Sequence, residues 1–316
     1  MPSTPRYVWI DSGLVEFKDA NLHFINAGLH YGISVFEGIR CYATGHGPAI
    51  FRLPEHVDRL LDSASVMGFR DLPWTGEQLI AAIVQTVAAN GYGDCYIRPL
   101  IWLDGAMSMV VDGGKLRLGI GVWEWGNFLG AEAKERGIRA NISSFTRHHP
   151  NIAMTKAKIS GNYVNSVLAK TESLRLGFDE AIMLDPEGYV AECTGENLFV
   201  VRRGTIYTPH TAAILEGITR DAILTLCGDL GYRVVEQPVS RDQLYVADEV
   251  FVCGTAAEVI GLREVDMRQV GAGKTGPVTR AVQHAFEQLT RGRHPRSAEW
   301  LHQVKPAEVG EAVRQR

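Results

Sequence analysis

Apolar and polar positions alternate along the chain in two rhythms, one of period two and one of helical spacing. Alternation predicts strands at 7–10 and 14–17, joined across the turn signal Asp11-Ser12-Gly13. Strands at 33–42 and 49–51 flank the glycine-rich 43–48. Helical spacing begins at Pro54, with Val57, Leu60, Leu61 and Ala64 on one face, and again over 77–89, stopping before Asn90-Gly91. Strands at 95–103 and 116–123 close the first half. The regularity then breaks at 125–137, which reads as an interdomain linker and divides a small domain over 1–125 from a larger one over 138–316, with the linker at 126–137.

The second half opens with a strand at 139–144. A helix from Asn162 carries Val164, Val167, Leu168, Thr171 and Leu174 at helical spacing and ends at Gly177. Strands follow at 180–184, 189–193 and 198–201, the first two joined by Asp185-Pro186-Glu187-Gly188. Thr219 is placed to cap a helix running to Leu230. Strands at 233–237, 249–253 and 258–263 and a helix over 277–289 complete the pattern. Strands and helices mix without a strict βαβ repeat, so the expected class is α+β.

Composition narrows the function. The 316 residues carry 32 basic and 36 acidic side chains, a balance of −4 that speaks against nucleic acid or a membrane surface as partner. Five cysteines, widely spaced and without a CxxC pair, suit a reducing cytosol better than a disulfide framework or a structural zinc site. The N-terminal residues show no secretory pattern, and the longest apolar stretch, at 79–89, is about half of the ~18 residues that argue for a membrane span. A cytoplasmic protein is expected.

Two motifs are decoys. Gly273-Lys274-Thr275 resembles the end of a phosphate-binding loop, but Arg268 stands where that loop needs glycine, and a hairpin turn is the better reading. His148 and His149 are adjacent, so their side chains diverge, and no third ligand lies at useful spacing. No metal is expected. On spacing alone, Lys156 and Lys158 read as two solvated loop lysines, although a lysine with a depressed pKa is also a nucleophile toward carbonyls. Other segments add a carboxylate at the end of an apolar strand (Glu192), an arginine on a helix (Arg59), and two turns, at 217–220 and 254–257, that would offer backbone N–H groups to an anion.

Together these segments resemble the fold-type IV pyridoxal-phosphate enzymes, and among them the branched-chain amino acid transaminases. The resemblance is carried by HYGISVFEGIR at 30–40, YIRP at 96–99, KISGNY at 158–163, ECTGENLF at 192–199, GITR at 217–220 and GTA at 254–256. It implies two domains joined by a short linker and pyridoxal 5′-phosphate as cofactor. By the same resemblance, Lys158 holds the cofactor covalently and shuttles the substrate proton, while Lys156 remains a loop lysine. Glu192 pairs with the pyridine nitrogen, and Tyr163 hydrogen-bonds the ring's 3′-oxygen. Arg59 binds the phosphate, joined by Ile218, Thr219 and Thr255. The substrate positions that match are Tyr31, Phe36, Tyr96, Trp125 and Phe128 for the apolar pocket, Arg98 for the side-chain carboxylate of glutamate, and Thr255 with Ala256 for the α-carboxylate.

The implied reaction moves the amino group of L-branched-chain amino acids to 2-oxoglutarate in two ping-pong half-reactions. A homodimer or larger assembly is implied too, with the neighbouring subunit lending a loop. The loop DGAMSMV at 104–110 carries methionines where many of these enzymes are glycine-rich, Glu216 stands where proline is common, and Phe128 where tyrosine is also found. These departures leave open a transaminase of the same fold acting on D-amino acids or (R)-amines. A lyase of the aminodeoxychorismate type would use the same lysine, against which the 31–40 motif argues, and a non-enzymatic cofactor-binding protein would not need Lys158.

Overall fold

In the computed structural model, which describes residues 4–105, 107–125 and 130–305, the chain divides into two units. The first comprises Met1–Gly126, Ala157–Gly161 and Leu289–Arg316; the second comprises Asn127–Lys156 and Asn162–Gln288. The larger domain expected over 138–316 is therefore not one continuous piece. Two segments of it, 157–161 and 289 onward, belong with the first unit, because their backbones pair there.

The first unit runs β1 (Tyr7–Ile10), β2 (Gly13–Glu16), α1 (Ala27–Tyr31), β3 (Ser34–Phe36), β4 (Ile39–Thr44), β5 (Gly47–Phe51), α2 (Leu53–Val66), α3 (Gly76–Asn90), β6 (Cys95–Asp104) and β7 (Lys115–Glu124). Its sheet is antiparallel in the order Leu301–Gln303, β5, β4, β6, β7, β1, β2, with β3 also on β6. Val57 and Leu60 of α2 and Leu79, Ile83 and Val87 of α3 are buried with Ile39, Ile50, Ile97 and Ile101 of the strands. On α2 that apolar face is the one the helical spacing marked. A capping box between Thr75 and Gln78 starts α3, and Gly91, at φ +69, ends it in the left-handed conformation that glycine adopts without steric cost.

The second unit runs α4 (Gly130–Arg136), β8 (Ile138–Ile142), α5 (Tyr163–Arg175), β9 (Glu180–Leu184), β10 (Val190–Cys193), β11 (Asn197–Arg202), β12 (Thr205–Thr208), α6 (Ile218–Asp229), β13 (Arg233–Glu236), α7 (Arg241–Tyr245), β14 (Glu249–Gly254), β15 (Glu258–Val265), β16 (Arg268–Gln269) and α8 (Pro277–Thr290), whose last turn passes into the first unit. The sheet order is β10, β9, β8, β15, β14, β11, β12, β13, with β16 on the outside of β15. β8 runs parallel to β9 and β15, and β12 parallel to β13.

Four sequence expectations change. Residues 130–136, read as linker, form α4, which is tied to its own unit: Lys134 pairs with Glu258, and its carbonyl accepts from Thr275 Oγ1 at 3.1 Å and Gln283 Nε2 at 3.2 Å. Thr219 does not cap α6; the helix starts two residues earlier than that cap would place it, with Gly217 as N-cap and Thr219 buried in the first turn. The 273–275 segment leads from β16 into α8 rather than across a hairpin. Glu249 fills the start of that helix, accepting from the N–H groups of Val278 (2.9 Å) and Thr279 (2.8 Å), so a carboxylate already holds the anion position. The fourth change concerns α5. Its marked apolar face points outward, with Val164 and Val167 each 61% exposed and Leu168 and Leu174 exposed as well, while Ser166, Ala169 and Ser173 are buried.

Candidate active site

In the first unit, Glu37 sits in the apolar run between β3 and β4 and is fully buried. Its carboxylate accepts from Arg59 Nε (2.6 Å) and Nη2 (2.9 Å), from His56 Nδ1 (2.7 Å) and from the Gly38 N–H (3.1 Å). His56 and Arg59 are three residues apart on α2, so one helix face delivers both. Burial works against the charged carboxylate, but Arg59 and His56 more than offset it and hold Glu37 well below the usual carboxylate range. Burial likewise keeps the His56 imidazole below its ordinary range, against the pull of Glu37. The bidentate pair fixes the plane of the Arg59 guanidinium.

Lys158 lies in the 157–161 segment of the same unit. Its N–H donates to Ser63 Oγ (2.9 Å), Ser63 donates to the Arg59 carbonyl (2.7 Å), and its own carbonyl accepts from the Phe36 N–H (3.0 Å). A bridge between Val35 and Ile159 continues the pairing. The amine stands 4.9 Å from the centroid of the Phe36 ring. Lys158 is therefore held by β3 and α2, unlike a solvated loop lysine. Lys156 does fit that description: it is half exposed, pairs with the exposed Glu216 at 2.9 Å and also donates to the carbonyls of Thr211 and Ile214.

The aromatic positions of this unit converge. Arg98 places its guanidinium 4.5 Å from the Phe36 ring centroid and donates from Nη2 to the Tyr96 hydroxyl at 3.1 Å. Tyr96 stacks on Trp123 (5.1 Å) and leans on Trp125 (5.0 Å). Only glycine fits at 38, since a Cβ there would lie 2.0 Å from the Tyr96 oxygen. Phe36, Tyr96, Arg98 and Trp125 are thus brought together, and Trp123 joins them. Tyr31, at the end of α1, stands apart and is exposed. Phe128 lies outside the described residues.

In the second unit, Glu192 is buried near the end of β10, past an irregularity in its pairing with β9. One oxygen forms an ion pair with Arg147 Nε at 2.7 Å, and the other accepts from Asn197 Nδ2 at 3.2 Å. Asn197 also donates to the Leu215 carbonyl (3.2 Å). Its oxygen would lie 2.1 Å from a Cβ at position 217, so the turn into α6 requires glycine there. α6 starts at Ile218 and Thr219, and its N-cap, Gly217, has no side chain to cap the first N–H groups. Those groups and the helix dipole favour an anion. Tyr163 opens α5, and Thr255 with Ala256 forms the partly exposed turn between β14 and β15.

Four residues of these clusters, Glu37, His56, Arg147 and Asn197, are absent from the sequence expectations. Glu37 had a signal, an acid inside the apolar run ISVFEGI, because a charged residue there must be paired when buried. Arg147 had none, since nothing local distinguishes it from a surface arginine.

The amino-transferase class IV family matches residues 34–265. The chain is 48% identical over 299 residues to the branched-chain-amino-acid aminotransferase of Pseudomonas aeruginosa, covering 94% of this chain and 97% of that one. A crystal structure of the Escherichia coli branched-chain amino acid aminotransferase superposes with a TM-score of 0.91 at 44% identity, covering 95% of this chain and 100% of that one. A structure of the T.th. branched-chain amino acid aminotransferase with pyridoxamine 5′-phosphate gives 0.91 at 46% identity, covering 95% of this chain and 99% of that one. With the family matched over 34–265 and relatives this similar over nearly the whole chain, the chain belongs to the class IV amino-transferases.

Proposed function

We infer that the protein is a pyridoxal-phosphate-dependent branched-chain amino acid aminotransferase, moving the amino group of L-leucine, L-isoleucine or L-valine to 2-oxoglutarate. The observation that carries this reading is the near-full-length identity with the Pseudomonas aeruginosa enzyme of that name. The residues fit the cofactor: α6 offers uncapped N–H groups to a phosphate, and Glu192 is a buried carboxylate suited to a ring cation. When bound, the cofactor supplies an electron sink for the carbanion at the substrate's α-carbon.

In the first unit, Lys158 would hold the cofactor through its amine and carry the proton that leaves and returns to the α-carbon. Arg59, its plane set by Glu37, presents charge to the phosphate. Phe36, Tyr96 and Trp125 give the pocket its apolar character, and Arg98 meets the side-chain carboxylate of glutamate. In the second unit, Glu192 would keep the ring nitrogen protonated and Tyr163 would donate to the ring oxygen. Ile218, Thr219 and Thr255 bind the phosphate, while Thr255 and Ala256 receive the α-carboxylate.

The partner is a second copy of the same chain. What supports this is the outward apolar face of α5, with Ile152 and Met154 also exposed, since exposed apolar surface of this kind often marks an interface. Among the described residues no helix is long and apolar enough to cross a membrane. The five cysteines are all buried and unpaired, as suits a reducing cytosol.

A panel of amino donors with 2-oxoglutarate tests the substrate class. L-leucine, L-isoleucine and L-valine are expected to form glutamate at least about 100-fold faster than D-leucine or an (R)-amine, since inverting the α-carbon turns the proton to be removed away from the base. Equal or faster turnover of the D-amino acid or (R)-amine would move the assignment to the other transaminases of this fold.

A further inference from the structure

Three carboxylates are buried close together in the second unit: Glu180 at the start of β9, Glu192 on β10 and Glu196 in the turn before β11. Buried like charges cannot all ionise without counter-charges. The cations available to them are placed selectively. Lys170 of α5 pairs with Glu180, which also accepts from Thr194 Oγ1 at 2.5 Å. Arg147 pairs with Glu192. Glu196 receives the Gly195 N–H at 3.1 Å and has no cation in the described contacts. Burial, then the charge of Glu180, pushes Glu196 up to about 8, with Glu192 adding to the effect. The neighbouring Cys193 thiol is pushed well up by burial and the same carboxylates. The cluster therefore carries its proton on the member that lacks a cation.

We propose that Arg147 is a positioning residue for the reaction, keeping Glu192 ionised and aimed so that Glu192 can hold the proton on the cofactor's ring nitrogen. The proposal rests on the reading of Glu192 as the partner of that nitrogen. The geometry is suited to the task. The Arg147 side chain is about nine-tenths buried, so little water screens the pair. Its backbone is anchored to the sheet, with the Arg147 N–H donating to the Leu184 carbonyl at 2.8 Å. Asn197 holds the second Glu192 oxygen and is itself fixed by Leu215, so the carboxylate has one orientation. A guanidinium stays charged at any working pH, whereas the neighbouring carboxylates compete for protons. Without it, Glu192 loses the cation that favours its charged form, and a neutral carboxyl cannot keep the ring nitrogen cationic.

The test compares the wild-type, Arg147→Met and Arg147→Lys holoenzymes by absorbance across pH 5–9 and by the single-turnover rate with L-leucine. Arg147→Met is expected to retain a cofactor band, to slow the half-reaction on the order of 10- to 100-fold, and to raise the acid limb of its pH profile by about one unit or more. Its band should change with pH where that of the wild type is flat. Arg147→Lys, which keeps the charge, should restore most of the rate and return the acid limb toward the wild type. Should Arg147→Met fold poorly, Arg147→Met/Glu192→Gln is expected to recover its thermal midpoint, because the stranded charge is gone. A Met variant with an unshifted pH profile, or Met and Lys variants equally slow with the wild-type profile, would overturn the proposal. Absence of a cofactor band in the wild type itself would instead remove the reading of Glu192 on which it stands.

Discussion

Replacing Lys158 by alanine is expected to lower turnover of L-leucine with 2-oxoglutarate by at least about 10⁴-fold, because a covalent anchor and a proton carrier are lost together. The fold should survive. The two hydrogen bonds that seat this segment, from the Lys158 N–H to Ser63 and from the Phe36 N–H to the Lys158 carbonyl, are made by the backbone. Truncation removes only the side chain beside the Phe36 ring. Lys156→Ala is the matched control: two residues earlier and half exposed, it pairs with the exposed Glu216, and an ion pair of that kind contributes about 0–1 kcal/mol. Turnover by Lys156→Ala should stay within about threefold of wild type. Steady-state assays of both proteins, with circular dichroism to verify folding, decide the matter. Retained turnover in Lys158→Ala would overturn the assignment.

Glu37→Gln is expected to cost about 3–5 kcal/mol of stability at pH 7, the usual result of removing one partner from a buried charged network. Glu37 is fully buried and binds Arg59 through both oxygens, so the neutral amide leaves a largely buried guanidinium without its counter-charge. The amide keeps only one accepting oxygen for His56 and Arg59 together, and its NH2 faces a donor. The sign of the pH dependence follows from the same contacts. Arg59 and His56 outweigh burial and hold the folded carboxyl below its ordinary 4.5, so the unfolded chain binds more protons as pH falls past that value. The contribution of Glu37 is thus complete above about pH 5 and is lost progressively as pH drops toward its folded value. Denaturant titrations from pH 3 to 7 should show this acid loss in the wild type and less of it in Glu37→Gln. Weaker retention of pyridoxal phosphate is expected in the same variant, since Arg59 is no longer held flat. Stability within about 1 kcal/mol of wild type at pH 7 would mean that the network does not carry the weight its burial implies.

The long helices were legible in the sequence because their signals are local. A proline in the first turn of α2, Thr75 with Gln78 at the start of α3 and Gly91 at its end all act within one turn of the boundary they mark. Two of the short elements were not. α7 spans five residues and β12 four, too few for a period to declare itself, and β12 lies between β11 and β13, so its pairing is set by both. α5 is the instructive failure: the periodicity located the helix and its apolar face, but which face is buried depends on what packs there, and the small residues Ser166, Ala169 and Ser173 take that place. The site divides in the same way. Lys158, Glu192 and the 217–220 turn stand in contiguous motifs and could be marked from the sequence. The charges that tune them come from elsewhere in the chain, as Arg59 reaches Glu37 across 22 residues and Arg147 reaches Glu192 from the loop after β8. Only the fold shows which charge meets which.

The central claim is most directly tested by recording the absorbance of the purified protein with pyridoxal phosphate before and after adding L-leucine, then after adding 2-oxoglutarate. The account predicts a near-visible band that collapses with L-leucine and returns with 2-oxoglutarate, both half-reactions being observed on one sample. A band that ignores L-leucine but responds to a D-amino acid, or no band at all, would contradict it.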